Sequence, residues 1–334
     1  MVNKNPIGYL ATGVFYCLIV SSFAVTSSIK AAPFLTTDQN PFSLVNGLPL
    51  PVTAALPEKD SYTYSFSFEI TNTLNREDNV SEEIILDFES YQLKTSFILG
   101  LSDDWAFKAS LPLIHRGGGT FDSAIDNWHD FFGLPRANRP NVTNNLYHIS
   151  YTKNGITQID LAQPSNQLGD IALSLGKQLS STADSSSSIW STIELPTGDD
   201  SNLTGNKGID LSIYLATDHR IYKDWNLFSN IGLLLPGRSV DASLETETNV
   251  WFAYLGLSWS VLPEIELQIQ LNGHTGFYED SDLRLLGSTY EFIFGGSIHM
   301  DACSDIDIAF SEDIKVGAAP DISLMVSWRS KFGC

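Results

Sequence analysis

The sequence predicts an all-β protein, an antiparallel transmembrane β-barrel of about twelve strands with long extracellular loops. Three observations carry that expectation. Apolar and polar side chains alternate with a period of two through most of the chain, short and long connections alternate between strands, and tryptophans gather near one set of strand ends. The chain has 334 residues, a formal net charge of −20 and only 17% charged residues, which suits one large β domain better than an acidic disordered chain. Beyond the first thirty residues no run approaches about 18 consecutive apolar residues, so a multi-helix membrane protein is not expected.

Taken from the start, Lys4 gives a positive flank, Ile7 to Val20 an apolar run, and Ser21, Ser22 and Ala24 the small residues of a processing site. Residues 1–32 therefore read as a secretory signal peptide. Cleavage fits either Ser22-Phe23-Ala24 or Ala31-Ala32, and an uncleaved anchor is less expected because no basic stop-transfer flank follows. Cys17 follows Val14-Phe15-Tyr16, not the small residues that lipoprotein processing needs. Removing this segment takes Lys4 and Lys30 and no acid, so the mature chain is more acidic still, which argues against nucleic acid as a partner.

Residues 33–60 form an N-terminal segment ahead of the barrel at 61–334. Phe34, Leu35, Phe42, Leu44, Val45, Leu48, Leu50 and Val52 stand among Pro, Gly and Asn, too apolar for a free tail. The segment is expected either to enter the barrel mouth as a small plug or to lie on the periplasmic rim, with the plug favoured.

In the first strand Tyr62, Tyr64, Phe66, Phe68 and Ile70 share one face, and Ser61, Thr63, Ser65, Ser67, Glu69 and Thr71 the other. Glu264 to His274 repeats the pattern, with Ile265, Leu267, Ile269 and Leu271 opposite Glu264, Glu266, Gln268, Gln270, Asn272 and His274. Strong alternation also marks Trp105 to Leu113, Ile209 to Leu215, Trp225 to Leu235, Trp251 to Trp259, Tyr290 to Met300 and Ile322 to Phe332. Weaker strands are Ile84 to Leu101 with a break near Ser90, Leu168 to Leu179, Ile189 to Leu195 and Asp305 to Ser311.

With the N-terminus in the periplasm, short connections fall at Ser102 to Asp104, Ser180 to Ser187, Thr217 to Asp224, Leu262-Pro263 and Asp301 to Ser304. Long ones fall at Thr73 to Glu82, Arg116 to Gln167, Pro196 to Gly208, Pro236 to Asn249, Thr275 to Leu286 and Glu312 to Pro320. Trp105, Trp190, Trp225, Trp259 and Trp328 lie near the periplasmic ends, Trp251 near an external end, and Trp128 within a loop, as interfacial rings prefer. A soluble two-sheet sandwich is the rival fold.

The loop at 116–167 has its own order. Phe121, Ile125, Trp128 and Phe132 recur at helical spacing before Gly133, and Tyr147 to Lys153 and Ile156 to Leu161 flank Asn154-Gly155, a two-residue hairpin turn. A short external helix and a hairpin above the membrane follow.

Particular residues carry a resemblance to a known family. These are Asp38-Gln39-Asn40-Pro41 with Gly47-Leu48-Pro49, Gly117-Gly118-Gly119, Trp128-His129-Asp130-Phe131-Phe132-Gly133-Leu134-Pro135, Leu168-Gly169-Asp170, Leu195-Pro196-Thr197-Gly198-Asp199 and Ser311-Glu312-Asp313. Together they resemble the Gram-negative outer-membrane β-barrel family catalogued as domain of unknown function 3187. The resemblance implies a barrel of unassigned activity in the outer membrane.

Candidate chemistry is sparse. Asp122, Asp126 and His129, with Asp130 beside them, are competent ligands for a divalent cation, but a polar helix face over Phe121, Ile125, Trp128 and Phe132 explains them better, so no metal is expected. His148-Ile149-Ser150 resembles the His-x-Ser pair of outer-membrane phospholipase A, also a twelve-stranded barrel. That family needs an Asn on a neighbouring strand, where this chain has Ala162, so a non-enzymatic barrel without cofactor is expected.

The expected lumen set is Glu69, Lys94, Lys108, Glu264, Glu266, Gln268, Gln270, Asn272, His274, Glu291, His299, Asp305, Asp307 and Arg329. Its mixed sign favours internal ion pairs, and side chains can nearly fill a barrel of this size. Cys303 and Cys334 both fall at the periplasmic end of the last hairpin and are expected to form a disulfide in an oxidising envelope. Leu324, Val326, Trp328 and Phe332 resemble a terminal assembly signal, although Gly333 and Cys334 extend past the aromatic. The sequence thus leads to a monomeric barrel in contact with outer-membrane lipid, lipopolysaccharide and the assembly machinery. It is read as a narrow, acid-biased channel or transporter for a small solute, with a plugged structural or envelope-interaction barrel as the alternative.

Overall fold

The computed structural model describes residues 32–119, 146–314 and 322–332. Fifteen strands form one antiparallel sheet: β1 Tyr62–Asp78, β2 Glu82–Ser102, β3 Trp105–Gly117, β4 His148–Lys153, β5 Ile156–Leu161, β6 Ser165–Leu168, β7 Ile171–Ser181, β8 Ser185–Leu195, β9 Asp210–Tyr222, β10 Trp225–Leu235, β11 Val250–Leu262, β12 Ile265–His274, β13 Thr289–His299, β14 Ser304–Asp313 and β15 Ile322–Phe332. Twelve of them, β1–β3 and β7–β15, make a closed barrel.

Closure runs through β1 and β15, paired from Tyr62 opposite Phe332 to Asn72 opposite Ile322. Cross-strand aromatic pairs reinforce that seam: Tyr62 stacks on Phe332 at 5.1 Å and Phe66 on Trp328 at 5.9 Å. The alternation has the predicted sense. Phe66, Phe68, Leu267 and Ile269 are exposed on the outer wall, while Ser67, Glu69, Gln268 and Gln270 are buried inside. A closed sheet leaves no unpaired edge in hydrocarbon, and no helix among the described residues is long and apolar enough to cross a membrane.

Four expectations need correction. Thr73 to Glu82 is not a long loop: β1 and β2 continue as a hairpin past the barrel, and only 79–81 turn, with Asn79 Oδ1 accepting the N–H of Ser81 and of Glu82 at 2.8 Å each. The expected break near Ser90 is absent, since β2 runs unbroken for 21 residues. What changes there is the neighbour, because β3 pairs up to Glu89 and β4 pairs with Glu82–Asp87. Third, Leu168 to Leu179 is two strands. Pro112 of β3 has no N–H to give, its carbonyl accepts from Gly169 at 2.9 Å, and the partner strand divides there into β6 and β7.

The fourth concerns tryptophan. Trp105, Trp259 and Trp328 are exposed on the outer wall near short-turn ends, and Trp225 stacks on Trp259 at 5.5 Å. Trp190 instead points inward and is fully buried; its neighbour Ile189 takes the outer face. The room for its ring comes from Gly176 opposite, where a Cβ would lie 2.6 Å from the indole.

The predicted hairpin of β4 and β5 is present, with Asn154 at φ 53° and Gly155 at φ 75°, the positive dihedrals that a tight two-residue turn requires. Its apolar side, Ile149 and Tyr151, does not face lipid. It joins Ile84, Leu86 and Phe88 of β2 and Leu203, Leu244, Phe277, Leu285 and Leu286 of other long connections in an apolar core above the lumen.

Candidate functional site: the barrel lumen

The lumen is occupied by residues 33–56, which make one pass up and one pass down. On the way up the segment follows β12 at a spacing of two. The N–H of Phe34 donates to Gln270 Oε1 at 2.9 Å, Asn272 Nδ2 donates to Thr36 O at 3.1 Å, and His274 Nε2 lies 3.0 Å from Asp38 Oδ2. Extended backbone rising 3.2–3.4 Å per residue presents every second group to every second inward side chain of a strand, so the two periods match.

At the top the chain turns under the apolar core. Asn40 caps the short helix α1, Pro41–Leu44, by accepting from Phe42 N–H at 3.1 Å, and Pro41 occupies the first helical position. Gly47, at φ +62°, reverses the chain where a Cβ would sit 2.6 Å from the Cβ of Asp210. Phe42 is fully buried, its ring 6.2 Å from that of Tyr151.

On the way down the anchors are single side chains from five strands, β11, β3, β10, β9 and β7. Tyr254 OH donates to Pro49 O at 3.0 Å and Lys108 Nζ to Leu50 O at 3.0 Å. Asn230 brackets Val52, accepting its N–H at 2.8 Å and donating to its carbonyl at 3.0 Å. Asp218 Oδ2 accepts from Ala54 N–H at 2.8 Å, and Gln178 accepts from Leu56 N–H at 2.9 Å while donating to Ala54 O at 3.0 Å.

Part of the mixed charge in the wall resolves into ion pairs. Lys94 and Glu69 meet at 2.6 Å, both buried, and Thr36 Oγ1 donates to the other oxygen of Glu69 at 2.6 Å. Asp307 collects Ser297 and Ser327 at 2.7 Å each and Arg329 at 2.8 Å. His299 Nδ1 lies 2.6 Å from Asp305 Oδ1. A buried polar wall needs such partners, since each unpaired group costs about 1–3 kcal/mol.

Of the sequence-predicted site residues, Glu266, Gln268, Gln270, His274, Glu291 and Asp307 are inside and buried, and His299 and Asp305 line the short-turn end half-buried. Glu264 is a correction: it occupies the turn between β11 and β12 and is exposed, because β12 begins only at Ile265. Phe121, Ile125, Trp128, His129, Asp130 and Phe132 lie outside the described residues. Cys303 sits after β13 with its carbonyl accepting from Lys331 N–H at 2.8 Å, and Cys334 lies outside the described residues. His148 lies on the external hairpin 3.1 Å from Asp160, and among the described residues no hydrogen bond joins it to Ser150.

The family described as protein of unknown function (DUF3187) matches residues 9–332. The chain belongs to this family. No curated protein matches the sequence. Among solved structures the chain is similar to the COG4313 outer membrane channel from Pseudomonas putida F1, with 14% identity, a TM-score of 0.54, and coverage of 86% of this chain and 98% of that one. It is also similar to the Pseudomonas putida toluene transporter TodX, with 10% identity, a TM-score of 0.40, and coverage of 91% of this chain and 96% of that one. The likeness to the COG4313 channel is one of fold. The DUF3187 chain has the closed antiparallel barrel fold of an outer-membrane channel.

Asn230, Asp218, Gln178 and Tyr254 contact the segment in this family member and were not among the predicted lumen residues. Parity could have found them. Asn230 stands between Ser229 and Ile231 on a strand whose outer face carries Leu227, Ile231 and Leu235, so it must face inward.

Proposed function

We propose that this barrel is a monomeric, non-enzymatic conduit for a small solute, held closed by its own residues 33–56 acting as a plug. The observation that carries the reading is the way the segment is held. Its backbone is bonded to side chains of the wall and joins no strand of the barrel sheet, so its anchors can release one at a time to water without opening the wall. The outer face would contact lipid and, outside, lipopolysaccharide, and the aromatic last strand would address the assembly machinery. The filled lumen also supports the rival reading, a permanently plugged structural barrel.

Planar-bilayer recording of the mature barrel beside a variant lacking residues 33–56 separates the two. The conduit reading expects infrequent discrete steps from the full chain and a steadily open pore from the deletion. A full chain that never conducts while the deletion does would leave a structural barrel.

A further inference from the structure

Below the segment, at the end of the barrel that carries the short turns, lies a cavity of about 550 Å³. That is within the range of small-ligand pockets, about 300–1,000 Å³. Its two sides differ in kind. The segment contributes an apolar side that includes Leu35, Pro51, Val52 and Leu56, and the strands contribute Lys108, Arg329 and Lys331 among hydroxyls.

Lys108 is the unusual group. It is 3% exposed, its ammonium donates to Leu50 O, and among the described residues no carboxylate pairs with it. Arg329 is held by Asp307 through one nitrogen, while its Nε has no acceptor among the described residues. The acids on the same lining are placed otherwise: Asp305 pairs with His299, Asp301 accepts from Cys303 N–H, and Glu58 is exposed. A buried cation without a counter-charge is costly, and a bound anion that supplies one relieves that cost.

We infer that this cavity binds small organic anions with an apolar body, the acid group taken by Lys108 and the body laid on the apolar side of the segment. As the solute class of the conduit this rests on the proposed function; as a binding site it is measurable without passage. The test uses the full mature barrel in non-ionic detergent, with hexanoate as the probe and hexan-1-ol and hexylammonium as its neutral and cationic counterparts, followed by saturation-transfer NMR and calorimetry.

Hexanoate is expected to bind saturably and both counterparts at least about tenfold more weakly, as loss of a charged hydrogen bond implies. Lys108→Gln should weaken hexanoate by a similar factor, and Lys108→Arg should restore most of it. Ser96→Asp, which adds a carboxylate to the same lining, should abolish binding and serves if Lys108→Gln fails to fold. Hexanoate binding no tighter than hexan-1-ol, or unchanged in folded Lys108→Gln or in Ser96→Asp, overturns the inference. Saturable, Lys108-dependent binding by a barrel that never conducts supports the site and removes the conduit.

Discussion

Replacing Asn230 with Ala should loosen the plug by an amount that can be worked out. The side chain is fully buried and makes two hydrogen bonds to one residue, at 2.8 and 3.0 Å, holding Val52 as a neighbouring strand would. Each such bond contributes about 0.5–1.5 kcal/mol net, so the pair holds the descending leg by about 1–3 kcal/mol. If water enters the space, the loss falls at the lower end; if Val52 N–H and C=O stay dry and unpaired, it falls at the upper end. Divided by RT, this range raises the population of the displaced segment by roughly 5- to 150-fold. The assay is single-channel open probability, with Ser229→Ala as control. Ser229 is the adjacent residue on the same strand, on the other face of the wall, where its hydroxyl pairs with Thr217, and among the described residues no hydrogen bond joins its side chain to the segment. Should Asn230→Ala open no more often than Ser229→Ala, residues 33–56 do not gate the barrel.

Two further outcomes concern the ends of the molecule. Asp199 accepts from Ser201 N–H and from Asn202 Nδ2, and these donors, Asn202 first, hold its carboxyl below the ordinary carboxylate range. A depressed value gives stability that is present above the unfolded-state value and is lost as pH falls through the folded one. Asp199→Ala should therefore speed hydrogen exchange across residues 196–208 at neutral pH and converge on the parent as pH falls through the folded-state value; a difference that does not narrow with acid would show that the carboxylate is not its source. At the other end, Cys303 and Cys334 should be recovered as a disulfide in non-reducing peptide maps of protein from native envelope, and two free thiols would refute the pairing.

Most of the wall was legible because lipid outside and polar groups inside force strict alternation. In β12 every inward position from Glu266 to His274 was assigned from parity alone. The contacts of the segment were not, because its bonds to Asn230, Gln270 and Gln178 use backbone groups that every residue carries, and those leave no mark in a sequence. Trp190 shows a different failure. Position along the chain put it near a membrane boundary, but parity with Ile189 and the space above Gly176 decide which way it points.

β2 explains why an unbroken strand resembled a broken one. Ile84, Leu86, Phe88, Ser90, Gln92 and Lys94 all share one parity and all point inward. The inner face changes from apolar to polar at Ser90 as the neighbours of β2 change: Ile84 and Leu86 lie where β2 pairs with β4 and, with Phe88, pack with the long connections, and Ser90, Gln92 and Lys94 lie where it pairs with β3 in the barrel wall. If residues 33–56 gate the barrel as proposed, burial also bears on where they would release first. Burial of a side chain such as Phe42 under this core is worth about 1.5–3 kcal/mol, and Phe34 and Val52 are buried too, whereas the end of the descending leg at Ala55 and Leu56 is only half-buried and is held through Gln178 by contacts worth about 0.5–1.5 kcal/mol each. Displacement should therefore begin at Ala55 and Leu56, beside the cavity of Lys108, with Phe34 and α1 still seated, so that the cavity enlarges before any path to the outside exists.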